Sequence, residues 1–140
     1  MKKLILLMLS GFLMVNVSWA KTCRPSDADA ADMAVDSLNS WTAVNQNRVK
    51  FGFCDDGDIA EGNSEAVARL LADHWDSLPD LATQISKNPA FKAYVLRHID
   101  STLDTKDLDK IRTQASQFCP VKQEQLCGEL KEAAEKAAQE

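Results

Sequence analysis

Apolar residues recur at intervals of three and four through most of this chain, and that spacing predicts helices. Leu108, Ile111, Ala115 and Phe118 form the clearest stripe, which Pro120 ends beside Cys119. Nearer the start, Ser26 and Asp29 have capping-box spacing. They predict a helix reaching about Gln46, with Ala34, Leu38, Trp41 and Val44 on one face. "RVKFGF" either extends that helix or links it to Cys54 in extended form. A second helix carries Val67, Leu70, Leu71, His74, Trp75 and Leu78. Ser77-Leu78-Pro79-Asp80 then reads as a stop and a new capped start, leading into a short helix with Leu81 and Ile85. Asn88-Pro89 restarts the chain, and Phe91, Tyr94, Val95, His98 and Ile99 keep the helical stripe. "DSTLDT", residues 100–105, reads as a loop. The last helix holds Leu126 and Leu130, and its Ala/Glu/Lys tail is expected to fray. With 5 glycines and few β-branched runs, little room remains for strands. The expectation is an all-α fold, a small single-domain bundle of about five to six helices.

The ends change the picture of where such a bundle works. Met1-Lys2-Lys3, the apolar run "LILLMLSGFLMVNV" and the small residues Ser18 and Ala20 have the order of a secretory signal peptide, cut after Ala20. The apolar run is short for a membrane span, which needs about 20 such residues. "AKT" before Cys23 lacks the apolar and small residues that precede a lipidated cysteine. The expected division is therefore a signal peptide over residues 1–20 and a soluble helical domain over residues 21–140, exported to the periplasm. All four cysteines, Cys23, Cys54, Cys119 and Cys127, fall in that domain. An even number in an exported chain reads as two disulfides with three pairings open, of which Cys119–Cys127 with Cys23–Cys54 is favoured. Zinc is the competing use, but no C-x-x-C pair occurs. The formal net charge is −5 and becomes two units more negative without Lys2 and Lys3. That disfavours nucleic acid and anionic membrane as partners and suits a basic protein.

"CDDGDIAEG", residues 54–62, concentrates the chemistry. An EF-hand loop needs oxygen ligands at alternate positions and a closing Glu twelfth. Here Glu61 follows Asp55, Asp56 and Asp58 far too soon. Asp58 and Glu61 instead have capping-box spacing, with acids suited to the positive end of a helix and Gly57 permitting the turn. Gly62 inside that helix costs about 1 kcal/mol relative to Ala, so it marks a bend or a close approach of another segment. Catalytic options are thin: only His74 and His98 are present, and each cysteine is better used in a disulfide. His98 lies on the Tyr94/Val95 stripe and reads as a partly buried structural histidine. Trp41 and Trp75 read as core. No catalytic residue, cofactor or metal is expected.

Three stretches carry a resemblance: "FCDDGDIAEGNSEAVARLLADHW", "FKAYVLRHIDSTLDTKDLDKIRTQASQFCP" and the final "LC". Over roughly residues 41–130 they resemble small periplasmic immunity proteins of type VI secretion systems, those that neutralise peptidoglycan amidase effectors. The resemblance implies an all-helical protein, commonly a homodimer, that binds a basic or neutral cell-wall-degrading amidase and plugs its active-site groove. The expected contact elements are the acidic stretch, with Asp55, Asp56, Asp58 and Glu61, and the loop with Asp100 and Asp104. Their charges would steer a basic toxin, while the apolar centre of the contact supplies most of the affinity. Two other readings stand beside it: a periplasmic inhibitor of a lysozyme-like muramidase, and a metal-binding protein using Asp55, Asp56, Asp58 and Glu61.

Overall fold

Arg24, rather than Ser26, opens the first helix: its backbone N–H and its Nε both donate to Asp27 three residues on, and Pro25 occupies the first helical position. The structure is a computed structural model that describes residues 20–140, so the expected signal segment lies outside the described residues except for Ala20. Among the described residues seven α-helices follow one another, more than the five to six expected, and there is no strand. They are α1 (Pro25–Val35), α2 (Trp41–Phe51), α3 (Gly57–Asp73), α4 (Leu78–Lys87), α5 (Ala90–Arg97), α6 (Thr105–Gln117) and α7 (Glu124–Ala137). Short 3-10 turns at Gly52–Cys54 and Trp75–Ser77 lead into α3 and α4.

Boundaries differ from the periodicity at several points, each for a local reason. The second helix, expected to carry His74, Trp75 and Leu78, ends at Asp73; His74 leaves the helix at φ −129°, ψ 45°, and a 3-10 turn leads into α4. The single helix expected up to Gln46 is two. The chain turns after Val35, and Ser40 caps α2 by accepting from the Ala43 N–H at 3.2 Å. The stripe of α6 stops short of Phe118, whose backbone leaves the helix at φ −127° and whose ring is 60% exposed. Its carbonyl is used instead, accepting from Trp75 Nε1 at 2.8 Å. In the Ala/Glu/Lys tail α7 runs to Ala137, with Ala134 and Ala137 buried, and the last three residues leave the helix.

The core is one large cluster built on α3. Val67, Leu70 and Leu71 pack among Trp41, Val44, Leu81, Phe91, Val95, Leu108, Ile111 and Leu130. Full burial of each large side chain contributes roughly 1.5–3 kcal/mol, so this cluster dominates the stability of the bundle. Trp41 meets Phe91 edge to face with centroids 6.5 Å apart and donates its indole N–H to Ser77 Oγ at 2.9 Å. A second, small cluster of Ala31, Phe51 and Cys54 sits where α1 crosses the start of α3. Gly62 belongs to that crossing: a Cβ there would lie 2.8 Å from Val35 Cγ1.

Both favoured disulfides form. Cys23–Cys54 ties α1 to the segment before α3, and Cys119–Cys127 closes the α6–α7 turn. Paired cysteines belong to an oxidising, non-cytoplasmic compartment. No described helix is long and apolar enough to cross a membrane.

Candidate functional site: a buried polar chain beneath an acidic surface

Asp55 leaves the Cys54 disulfide in a non-helical conformation at φ −78°, ψ 74°, and its side chain turns inward. That side chain is 3% exposed. Its carboxylate accepts from His98 Nε2 at 3.0 Å, from Asn63 Nδ2 at 2.9 Å and from the Arg97 guanidinium. Burial pushes the Asp55 carboxyl up. The hydrogen bonds from His98 and Asn63, with the positive charges of His98 and Arg97, outweigh burial and hold it below the ordinary aspartate value.

The chain of polar groups continues past His98. Its Nδ1 lies 2.8 Å from Ser64 Oγ, and Ser64 Oγ donates to Asp100 Oδ2 at 2.7 Å. Asp55 can only accept, so Nε2 donates to it. Asp100 Oδ1 in turn accepts from the Thr102 N–H at 2.9 Å and from the Thr102 hydroxyl, closing the loop on itself. Burial also opposes ionisation of Asp100; the Thr102 and Ser64 hydrogen bonds, with the charge of His98, hold its pKa below the usual value. On the other side, Asn63 Oδ1 accepts from Asn47 Nδ2 at 3.1 Å, which carries the network into α2. Asn47, Asn63, Ser64 and His98 are the buried polar residues of the described chain, and all four are members.

A serine, a histidine and an aspartate in series invite comparison with a nucleophile, base and orienting acid. Ser64 is 1% exposed, and its only hydroxyl hydrogen goes to a carboxylate rather than to the imidazole. The arrangement therefore acts as a tie between segments 34 to 43 residues apart in sequence. Buried networks of this kind fix one geometry, because each partner lost strands the others.

The six acids expected on the contact surface separate into two groups. Asp55 and Asp100 are spent internally, the first within the network and the second on Ser64 and Thr102. Asp56, Asp58, Glu61 and Asp104 are exposed. Asp56, not Asp58, is the N-cap of α3; it accepts from the Gly57 N–H at 2.9 Å, and Gly57 takes the left-handed φ of 53°. Asp104 caps α6 through the Lys106 N–H at 2.7 Å. Asp58 and Glu61 project from the first turns of α3. Sequence reasoning did not identify Asn63, Ser64 and Arg97 as partners of Asp55 and His98. A polar pair inside an otherwise apolar stripe, Asn63-Ser64, was the available signal.

Among the described residues, no three His, Cys, Asp or Glu side chains converge as metal ligands. With Asp55 turned inward and Asp56 engaged as a cap, the acidic stretch does not present its four carboxylates together. Comparisons with protein-family models, with curated proteins and with solved structures find no match to this chain.

Proposed function

We propose that this protein is a periplasmic immunity protein that binds a type VI-secreted peptidoglycan amidase and sterically blocks its active-site groove. One observation carries the reading. The acidic segment Asp55–Glu61, which runs into the first turns of α3, and the loop at Asp100–Asp104 are linked through Asp55, His98, Ser64 and Asp100. A plug that enters a catalytic groove must be rigid, since ordering a loose loop on binding subtracts from affinity. Here the inward acids brace the surface while Asp56, Asp58, Glu61 and Asp104 give it negative potential. The export-type start, the two disulfides and the net negative charge agree with a periplasmic partner of opposite charge.

The test is a titration of the purified chain into amidases of the cysteine–histidine type and into muramidases, following clearance of a peptidoglycan suspension. Stoichiometric inhibition of an amidase, weakened by the double substitution Asp58→Lys/Glu61→Lys, supports the proposal. Inhibition confined to muramidases replaces the amidase with the other cell-wall target. Inhibition of neither class refutes it.

A further inference from the structure

A groove of about 550 Å³ runs between α2 and α5, and its charged lining is basic where the chain as a whole is acidic. Arg48, Val49, Phe53, Ala93, Tyr94 and Arg97 line it, and no acidic residue does. Arg48 donates through Nε to Asn45 Oδ1 at 3.1 Å and pairs with no carboxylate among the described residues. Arg97 gives Nη2 to Asp55, and its side chain is 62% exposed. Beneath it, 5.4 Å from the guanidinium carbon, lies the ring of Tyr94. The Tyr94 hydroxyl is buried and has no hydrogen-bond partner within the described protein. Burial first, and then the charge of Asp55, push the phenol's pKa up, so it remains a neutral donor. Val49 stands on the rim at 68% exposure, an apolar residue with nothing over it.

We propose that this groove receives an acidic side chain of a protein partner, its carboxylate held between Arg48 and Arg97 and its methylenes laid on Val49, Phe53 and Ala93. Three features select that occupant. Two guanidinium forks match the two oxygens of a carboxylate. The Tyr94 ring beneath Arg97 gives the methylene stem an aromatic floor. The apolar walls suit the short stem of Glu or Asp, which a free inorganic anion lacks. The inference deepens the reading above and rests on it for the partner. Gly52 and Phe53 at the groove precede Asp56 and Asp58 by a few residues, so one partner surface would meet both signs of charge. Opposed patches side by side fix the register of an encounter in a way that a uniformly acidic surface does not.

The test uses a peptide probe and so does not depend on the toxin. The full exported domain, 15N-labelled, is titrated with N-acetyl-Ala-Glu-Ala-amide, with its Gln counterpart, and with glutarate. The arginine Nε–H signals and the backbone amides of Val49, Phe53 and Ala93 are followed. Expected are saturable shifts with the Glu peptide, none with the Gln peptide, and weaker binding of glutarate, which lacks the flanking chain. Arg48→Gln weakens the Glu peptide by about tenfold or more, the loss of one charge-assisted arm. Val49→Glu, on the exposed rim and outside the core, weakens it comparably through repulsion and serves if Arg48→Gln perturbs the fold. Equal responses to the Glu and Gln peptides, shifts located elsewhere, or no saturation would overturn the inference. Glutarate binding as tightly as the peptide would assign the groove to small dicarboxylates and overturn the choice of occupant. If the Glu peptide binds and no amidase is inhibited, the groove stands and the immunity reading falls.

Discussion

Replacing Asp55 by Ala removes the acceptor shared by three donors, and its cost can be worked from the geometry. His98 Nε2 at 3.0 Å and Asn63 Nδ2 at 2.9 Å are both on buried residues, and each loses its acceptor. A buried donor left without a partner costs about 1–3 kcal/mol. The third donor, Arg97, has a side chain 62% exposed and recovers water, so its arm adds at most about 1 kcal/mol. Desolvation of the carboxylate itself is relieved, which offsets part of the total. The expected loss is about 3 kcal/mol, or a fall in Tm of roughly 10 °C for a domain of this size. The neighbouring Asp56→Ala removes only an exposed cap on Gly57 and should cost about 1 kcal/mol or less. Guanidinium chloride unfolding followed by the fluorescence of Trp41 and Trp75, both buried, measures the two side by side. If Asp55→Ala costs no more than Asp56→Ala, the carboxylate is not the anchor of the network and the account of a braced acidic surface fails.

Other expectations follow from the same structure. Asp55 and Asp100 have folded pKa values below their unfolded ones, so the unfolded state binds more protons at low pH. Their stabilisation is fully present above about pH 4 and is lost as the pH falls through the folded values; Asp55→Asn should flatten that acid limb in unfolding midpoints taken from pH 6 to 2, and an unchanged limb would contradict it. Gly62→Ala gains about 1 kcal/mol of helix propensity but drives a methyl into Val35, an overpacking cost of about 1–3 kcal/mol. It should be destabilising alone and stabilising in a Val35→Ala background; stabilisation in both backgrounds would deny the close crossing of α1 and α3. Removing Cys23–Cys54 by double Cys→Ala substitution should cost about 3.5 kcal/mol and removing Cys119–Cys127 about 2.5, because the first closes the longer loop. The reverse order in denaturant midpoints would mean that local packing, not chain entropy, sets their worth.

What could be read in the sequence was what depends on near neighbours. Helices declared themselves through Leu108, Ile111 and Ala115, or Val67, Leu70 and Leu71, because burial imposes a 3.6-residue period on the residues themselves. The disulfide pairing was legible because the short loop from Cys119 to Cys127 leaves Cys23 and Cys54 to each other. His98 was legible as buried from its place on the Tyr94 stripe. Asp55 was not. Flanked by Asp56 and Asp58 it has the local signature of a solvated acid, and its inward turn follows from His98, 43 residues away. Asn63 and Ser64 look unsuited to a helix interior until Asn47, Asp55 and Asp100 are brought to them. The break after Val35 was hidden because Leu38 keeps the helical interval while the backbone turns; only Ser40, a good cap, marks it. Gly62 signalled a close approach without naming Val35. In each case the missing information was a tertiary partner, and these misses cluster around the acidic surface to which the proposed function is attached.

The central claim is that this chain protects a cell from an amidase in its own periplasm. The most direct measurement is co-expression, with residues 1–20 intact, alongside periplasm-directed type VI amidases, following optical density for lysis. Rescue of growth, with chain and amidase co-eluting as one complex and rescue lost on Asp58→Lys/Glu61→Lys, is the predicted result. Continued lysis by every amidase tested, with the folded and disulfide-bonded chain present in the periplasm, would contradict it.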